Sequence, residues 1–548
     1  MAITLRLLVG LCTTLSCLTG FSVGQDSSLK YEKQRGLGYD YTGFEQDQQV
    51  RADAVVEMFR FAWDGYQKYA FPNDELRPQN NSFTNSRNGW GCTAFDALST
   101  AIIMEQTDIV NFILYYIPTV DFTKTVTPPK SVVSLFETNI RYLGGLISSY
   151  DLLKGPFSHL EVNTSNVEAL LTQATSLADT LKFAFNTSSG IPVNWVFIEN
   201  QTFSDRALNE AGSQTAGLAE LGTLVLEWQR LSDLTGNPEY GALAQKAEDY
   251  WLSPSAETWP GLTGGTFSCD TGDILDDFGG WTSGNDSAYE YLPKMYAYDP
   301  ERYALYGERF TLAVDSTIAN VLSSPSTRPD LRIPRTWGPG TQQQNYSEGL
   351  ACFVGGSFIL GSSVLDRADW LPYGLDFAEW CANGYRYAAS GIGPIIYSWD
   401  LDLLADPVNQ NQTDLYDRAG WFIPNPAYYS GGQAPEAVES WYYAYQMTGD
   451  QYWRDVAWAY VLAQNSTLRV GSGFGLINNV LNATGGGSRS SQQTFFLAEV
   501  LKYQYLIQTE NKGEWDVLAG TPGSGENKNF FVYNTEAHPI RVAAKSPV

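Results

Sequence analysis

Histidine is nearly missing from this chain: His159 and His538 are the only two among 548 residues. A Ser-His-Asp triad and a His-rich zinc site are therefore nearly excluded at the outset. Positive charge is scarce as well. There are 34 Lys and Arg against 60 Asp and Glu, a net charge of −26. Nucleic acid and anionic membrane surfaces need clustered basic residues, so neither is expected as a partner. Alternating β-type runs are few and short, and no low-complexity linker divides the chain. With 43% hydrophobic and 17% charged residues, the composition is that of a globular protein. What the chain does have is acid and aromatic residues, with 33 Tyr, 27 Phe and 16 Trp. The expectation is that carboxylates do any chemistry and that aromatic faces hold the substrate.

Residues 1–24 read as a signal peptide. Arg6 gives a positive start, Leu7 to Phe21 an apolar core, and Ser22 and Gly24 a small-x-small cleavage site. An uncleaved anchor is the competing reading, but the apolar stretch is short against the roughly 20 residues of a span. The chain from residue 25 to 548 is then expected to form one domain, with its core at about 45–541. Its expected location is the secretory pathway, in the lumen or outside the cell, with no membrane contact after cleavage. Cys92, Cys269, Cys352 and Cys381 remain after cleavage, and four cysteines allow three pairings. Sequons at Asn80, Asn163, Asn186, Asn200, Asn345, Asn411, Asn465 and Asn482 agree with secretion. A further one at Asn285 adjoins the acids discussed below and is expected to stay unmodified.

The periodicity is helical throughout. Val56, Phe59, Trp63 and Tyr66 step by three and four, as do Leu221, Leu224, Trp228 and Leu231, and later Phe496, Val500 and Tyr503. The count comes to about a dozen helices or slightly more. Leu234-Thr-Gly-Asn-Pro-Glu-Tyr240 and Met447-Thr-Gly-Asp-Gln-Tyr452 form a weak repeat. In each, Gly is expected to close one helix in the left-handed conformation and Asn or Asp to cap the next. Repeated helical hairpins without linkers predict an all-α ring of helix pairs, and separate helical domains are the alternative.

Three segments place acids in unusual settings. Glu137, Arg141, Gly144 and Ser148 form a stripe beside the apolar Phe136, Ile140, Leu143 and Ile147. Glu137 and Arg141 share a face and are expected to pair, and the glycines leave room for a ligand. Asp286 and Glu290 are also four apart, between Tyr289 and Tyr291; a plain helix cap at Asp286 is the alternative. Glu436 follows Pro435, which suits a first helical position, and Glu439 lies one turn on. A first-turn glutamate is favoured in its ionised form by the helix dipole, as a general base requires. Paired carboxylates with almost no histidine are what an inverting glycosidase uses: one acid protonates the leaving oxygen and one base activates water.

Seven ordered strings then carry a resemblance. They are Ala62-Trp63 with Tyr66 and Asp74-Glu75-Leu76; Gly89-Trp90-Gly91 with Asp96-Ala97-Leu98; Phe136-Glu137-Thr138 through Gly144-Gly145; Asp286-Ser287 with Tyr289-Glu290-Tyr291-Leu292; Cys352-Phe353 with Gly355-Gly356; Pro435-Glu436 with Glu439-Ser440; and Asn534-Thr-Glu-Ala-His-Pro539. From about Met58 to Pro539 the chain resembles glycoside hydrolase family 47, the class I α-1,2-mannosidases, in its secreted fungal form. The resemblance implies an (α/α)7 barrel acting as a monomer. It implies inverting exo-hydrolysis of terminal α-1,2-linked mannose on high-mannose N-glycans. Glu137, Asp286 and Glu436 are then the catalytic acids, with Glu436 as base. The proton donor is expected to be Glu137, acting directly or through a water, with Asp286 as the other candidate. Arg141, Glu290 and Glu439 are expected to touch substrate. Thr535 is expected to bind calcium (Ca2+) through its carbonyl and hydroxyl oxygens. The implied disulfide is Cys352–Cys381, which leaves Cys92 and Cys269 bridged or free.

Against the family pattern, Ile395 and Gln493 stand where carboxylates are usual and Ala434 stands where arginine is usual. Ser99 replaces an aspartate, and Asn73 a frequent histidine. Losing shell carboxylates alters hydrogen bonding and charge at the site. The alternatives are therefore a mannose-binding homologue with reduced or lost turnover, or a glycosidase of altered linkage or sugar specificity.

Overall fold

Fourteen of the sixteen described helices named below alternate between an inner and an outer layer. They are described by a computed structural model that covers residues 47–126, 132–509, 513–516 and 529–543. The expected signal segment lies outside the described residues. The helices are α1 (Gln48–Tyr69), α2 (Cys92–Ile103), α3 (Thr107–Tyr116), α4 (Leu135–Thr138), α5 (Gly144–Lys154), α6 (Thr164–Leu181), α7 (Leu218–Gly222), α8 (Val225–Thr235), α9 (Glu239–Leu252), α10 (Asp286–Tyr298), α11 (Ala304–Ser316), α12 (Phe353–Val364), α13 (Leu371–Tyr387), α14 (Glu436–Thr448), α15 (Gln451–Thr467) and α16 (Leu501–Gln508). The short α4 and α7 lead into the inner helices α5 and α8.

The antiparallel pairs are α2/α3, α5/α6, α8/α9, α10/α11, α12/α13 and α14/α15, and α16 pairs with α1. The first member of each pair also meets its inner neighbours. α2 touches α5, α5 touches α8, α8 touches α10, α10 touches α12, α12 touches α14, and α14 touches α16. The π-helical turn Phe496–Val500 that leads into α16 returns to α2, so the inner ring closes. This is the (α/α)7 barrel, an all-α fold.

The sequence explains the two layers. α2 and α12 are buried at every residue, as helices with neighbours on all sides must be. α6 buries one stripe, Val167, Leu170, Ala174, Leu177, Ala178 and Leu181, and leaves its other face to solvent. The repeated turns form as their residues predict. Gly236 ends α8 at φ 72° and Gly449 ends α14 at φ 64°, while Asn237 and Asp450 accept from the first N–H groups of α9 and α15. The apolar run from Leu221 to Leu231 is not one helix; it breaks at Thr223 between α7 and α8.

Eleven tryptophans fill the wall between the layers with almost no exposure. Most of the aromatic residues are therefore core, and few are left to face a ligand. Cys352 and Cys381 are bonded and tie α12 to α13, while Cys92 and Cys269 are free and buried. Of the sequon asparagines, Asn345 is half-buried, Asn285 is buried, and the others are exposed.

One hairpin, Phe531–Tyr533 paired with Pro539–Arg541, enters the ring. Its turn is held by Asn534, whose side-chain oxygen accepts from the N–H groups of Glu536 (3.0 Å) and His538 (2.8 Å). Ala537 adopts φ 55° there. The turn touches α2 through His538 and Ser99 (2.9 Å), α8 through Asn534 and Glu227 (2.8 Å), and α10 through Thr535 and Glu290 (2.7 Å). Lys502 of α16 donates to the Ala537 carbonyl. A hub of this kind needs room, and glycine provides it. A Cβ on Gly144 would lie 2.5 Å from the Asn534 amide, and one on Gly145 would lie 2.9 Å from the Phe95 carbonyl. The space beside Glu137 and Arg141 that suggested a ligand is thus occupied by the protein's own hairpin and by α2.

Candidate active site

Each candidate acid stands near the start of an inner helix or on the hairpin turn. Ser134 caps α4 by accepting from the Glu137 N–H at 3.2 Å, which fixes the glutamate in the first turn. α4 runs directly into a π-turn, Asn139–Leu143, which carries Arg141. The expected Glu137–Arg141 pair forms, with Nε to carboxylate at 2.8 Å, and Arg87 approaches the other oxygen at 3.2 Å. Arg141 also meets Glu536, Thr494 (3.2 Å) and Asp96 (3.5 Å).

Asp286 begins α10. Asn285 takes the cap position, and the Asp286 carboxylate accepts from the Ser287 N–H at 3.0 Å. Glu290, one turn on, accepts from Thr535 Oγ1 at 2.7 Å and pairs with Lys294, whose ammonium lies 3.8 Å from Glu439 on α14. Glu436 is the first residue of α14. Pro435 sits at the cap, one place earlier than expected, and the second oxygen of Glu436 is buried without a partner.

These groups form a connected set of charges. Glu436 feels Glu439, Asp286 and Glu290; Glu499 feels Glu536, Glu436 and Glu439; and Glu536 is joined through Arg141 to Glu137. Glu137 therefore joins the other acids through Arg141 and Glu536. Asp286 and Glu436 interact more directly.

Burial dominates the electrostatics. It pushes Asp286 up to about 7, with Glu290 and Glu348 adding to the effect. It raises Glu439 to about 8, helped by Glu290 and opposed by Lys294. Glu436, Glu499 and Glu536 are all raised well above the usual carboxylate range, first by burial; Glu439, Asp286 and Glu290 add to it at Glu436, Glu536, Glu436 and Glu439 at Glu499, and Asp96 and Glu137 at Glu536, where Arg141 opposes. The helix-dipole expectation for Glu436 is therefore reversed, because losing water outweighs the first-turn N–H groups. Glu137 behaves in the opposite way. Burial alone would raise it, but Arg141 and Arg87 hold it below the ordinary glutamate value.

The donor set around Thr535 suits a hard cation. The Thr535 hydroxyl meets Glu290 at 2.7 Å, Lys294 and Arg141 offset part of the charge of Glu290, Glu439 and Glu536, and one Glu436 oxygen is buried without a partner. Among the described residues no three His, Cys, Asp or Glu side chains converge to hold a metal directly. An ion here would be held by Thr535 oxygens and solvent, with the acids around them.

Two clefts adjoin these residues. One of about 410 Å³ is lined by Glu137, Arg87, Trp195 and Arg206, among others. Another of about 430 Å³ is lined by Asn285, Ser283, Phe278, Trp337 and Tyr346. The departures from the family pattern fall around the site. Ile395 is 44% exposed before the strand Ile396–Ser398. The Ala434 carbonyl accepts from the Tyr460 hydroxyl at 3.3 Å, and the Gln493 N–H donates to the Gln433 side chain at 2.7 Å. Ser99 lies between His538 and Lys502, 2.9 Å from each. Asn73 accepts from Asn85 at 3.0 Å.

Sequence reasoning passed over Glu499, Glu536 and Glu227. Glu227 is fully buried and accepts from Tyr291 at 2.7 Å, and burial raises it to about 7. A signal was available, since Glu499 and Glu227 each directly follow an apolar run, Phe495–Ala498 and Leu224–Leu226, and Glu536 lies within Asn534–Pro539.

Comparisons with known proteins agree with this geometry. The chain is similar to an α-1,2-mannosidase from Trichoderma reesei of known structure, with TM-score 0.83 and 44% identity over 90% of this chain and 99% of that one. It is 48% identical over 499 residues to a probable mannosyl-oligosaccharide α-1,2-mannosidase 1B of Aspergillus clavatus, covering 90% of this chain and 93% of that one. It is 46% identical over 501 residues to the mannosyl-oligosaccharide α-1,2-mannosidase of Penicillium citrinum, covering 90% and 92%. The sequence profile of glycosyl hydrolase family 47 matches residues 58–542. With that match spanning most of its length and a buried ring of carboxylates at its centre, the chain is a glycoside hydrolase and belongs to glycosyl hydrolase family 47.

Proposed function

We propose that this protein is an inverting exo-α-1,2-mannosidase that trims terminal mannose from high-mannose N-glycans as a monomer in the secretory pathway, after loss of residues 1–24. The observation that carries the reading is that Glu137, Asp286 and Glu436, from three inner helices, belong to one connected set of carboxylates at the hairpin turn. The relatives' activity supports the linkage. No described helix is long and apolar enough to cross a membrane, in keeping with release into the lumen or medium.

Inversion needs a base that activates water on one face and an acid that protonates the leaving oxygen on the other. Glu436 is the base: its unpartnered oxygen is free to accept from a water. The Thr535 hydroxyl and carbonyl oxygens would hold a calcium ion, whose positive charge would lower the proton affinity of the acids around it. Asp286, held at about 7, carries a proton in the neutral range and suits the donor role. Glu137, kept ionised by two guanidinium groups, carries no proton to give and chiefly sets the charge of the wall facing the leaving sugar. Arg141, Glu290 and Glu439 fix these acids and offer contacts to sugar hydroxyls.

Incubation with a defined high-mannose glycan tests the reading. The wild-type protein releases β-mannose first, and Glu436→Gln lowers the rate by about 10³-fold or more. Release of the α-anomer, or Glu436→Gln turning over at the wild-type rate, overturns it. The proton on Asp286 is lost as pH rises through about 7, so kcat/KM falls on that side. Residual activity of Asp286→Asn that keeps the same alkaline limb refutes the donor role. Binding of the glycan with no sugar released over long incubation would favour the turnover-deficient reading, which the loss of a carboxylate at Ile395 supports.

A further inference from the structure

Most tryptophans of this chain are sealed in the barrel wall, but Trp195 is only half-buried and lines the cleft that Glu137 also lines. Its backbone is fixed relative to the catalytic acid. The strand Trp195–Phe197 pairs with Val133–Ser134 so that Trp195 lies opposite Ser134, and Ser134 caps the helix that carries Glu137. Asn194 reinforces the junction by accepting from the Ser134 hydroxyl at 3.0 Å and the Phe136 N–H at 2.9 Å. Arg206, held on a short turn capped by Ser204, places its guanidinium 4.8 Å from the Trp195 ring centre and lines the same cleft. Asn85, Asn88 and Ser134 add hydrogen-bonding groups.

A pyranose has an apolar C–H face and a rim of hydroxyls. An indole with a guanidinium over its ring, beside amide and hydroxyl groups, offers apolar and hydrogen-bonding contacts for both. The cleft's volume of about 410 Å³ lies in the range of ligand sites. An exo-acting enzyme holds the terminal sugar among its acids and leaves the rest of the glycan outside, along the wall that opens from them. Glu137 is the acid that forms part of such a wall.

We infer that Trp195 is the platform for the sugar on the leaving-group side of the scissile bond, that Arg206 binds that sugar's hydroxyls, and that the pair restricts which linkage is accepted. The inference rests on the mannosidase reading above. It is tested in the full-length protein with Trp195→Ala and Trp195→Phe, each made alone and together with Glu436→Gln. Turnover of α-1,2-mannobiose and equilibrium binding of mannobiose and free mannose are measured.

Trp195→Ala is expected to lower kcat/KM on mannobiose by about 10- to 100-fold and, with Glu436→Gln, to weaken mannobiose binding by a similar factor. Mannose binding stays within about twofold, and Trp195→Phe recovers most of the loss. Unchanged mannobiose affinity on Trp195→Ala overturns the inference. So does an equal loss of mannose affinity, or a loss produced instead by Phe278→Ala in the second cleft. A wild-type protein that binds mannobiose but releases no mannose overturns the mannosidase reading alone, because the effect of Trp195→Ala on binding is still measurable.

Discussion

A single buried carboxylate organises the loop that brings Arg87 to the site. Asp74 accepts from the N–H groups of Arg87 and Gly89 (2.8 Å each), Gly91 (3.0 Å) and Cys92 (3.1 Å), and from the Tyr142 hydroxyl (3.2 Å). Burial still pushes it up to about 6, with those bonds opposing. Asp74→Ala strands four N–H groups and is expected to cost about 3–5 kcal/mol in denaturant unfolding. It should also raise KM, because Arg87 then loses its place beside Glu137. Lys502 is a second case. It is fully buried, its neighbours at Ser99 and Ala537 are uncharged, and burial lowers it to about 7 from its ordinary value of 10.5. The unfolded chain then holds the extra proton between about pH 7 and 10.5, so this group makes stability rise with pH across that window. Thermal melts of Lys502→Met or Ser99→Asp should show that rise flattened, the first by removing the amine and the second by giving it a counter-ion. An unchanged slope in both would show that Lys502 is not its source.

Among elements, legibility in the sequence followed the range of the interaction. The turns at Gly236 and Gly449 were readable because left-handed glycine and an Asn or Asp cap are chemistry of adjacent residues. The π-turns at Asn139–Leu143 and Phe496–Val500 were not, since one extra residue in a buried helix leaves its apolar pattern almost intact. The break at Thr223 was hidden for a related reason: both flanking helices are buried on nearly every side. The acids Glu137, Asp286, Glu290, Glu436 and Glu439 could be singled out by local spacing. Their electrostatic states could not, because these depend on burial and on partners far away in the chain. The same holds for Gly144 and Gly145, whose missing side chains make room for Asn534 and for the backbone of α2. Gly145→Ala pushes a Cβ to 2.9 Å from the Phe95 carbonyl, a backbone atom that cannot swing away. Equilibrium unfolding should show a loss of about 1–3 kcal/mol.

For the whole molecule, closure is the governing property. Each inner helix is held by two inner neighbours, an outer partner and, for several, the hairpin turn, so the site's acids inherit their positions from the entire ring. The disulfide adds to this by closing a loop of 29 residues between α12 and α13. Replacing both cysteines by alanine should cost about 3–4 kcal/mol. Thorough chelation should lower both activity and melting temperature if calcium binds at Thr535, since a ligand of the folded state alone stabilises it. A melting temperature indifferent to chelator argues against that site.

The pairing of α1 with α16 has a consequence for biogenesis. The first described helix, Gln48–Tyr69, meets α16 only when Leu501–Gln508 has been made. At ribosomal speeds of about 5–20 residues per second, the face that packs on α16 waits roughly 20–90 s after synthesis. Trp63 and Tyr66 find Phe112 and Phe71 soon after they are made, but the α16 face stays uncovered in a crowded compartment, and chaperones are the natural stand-in for the missing partner. A nascent chain halted just before Leu501 should therefore be cut by protease within α1, and one released with α16 attached should resist.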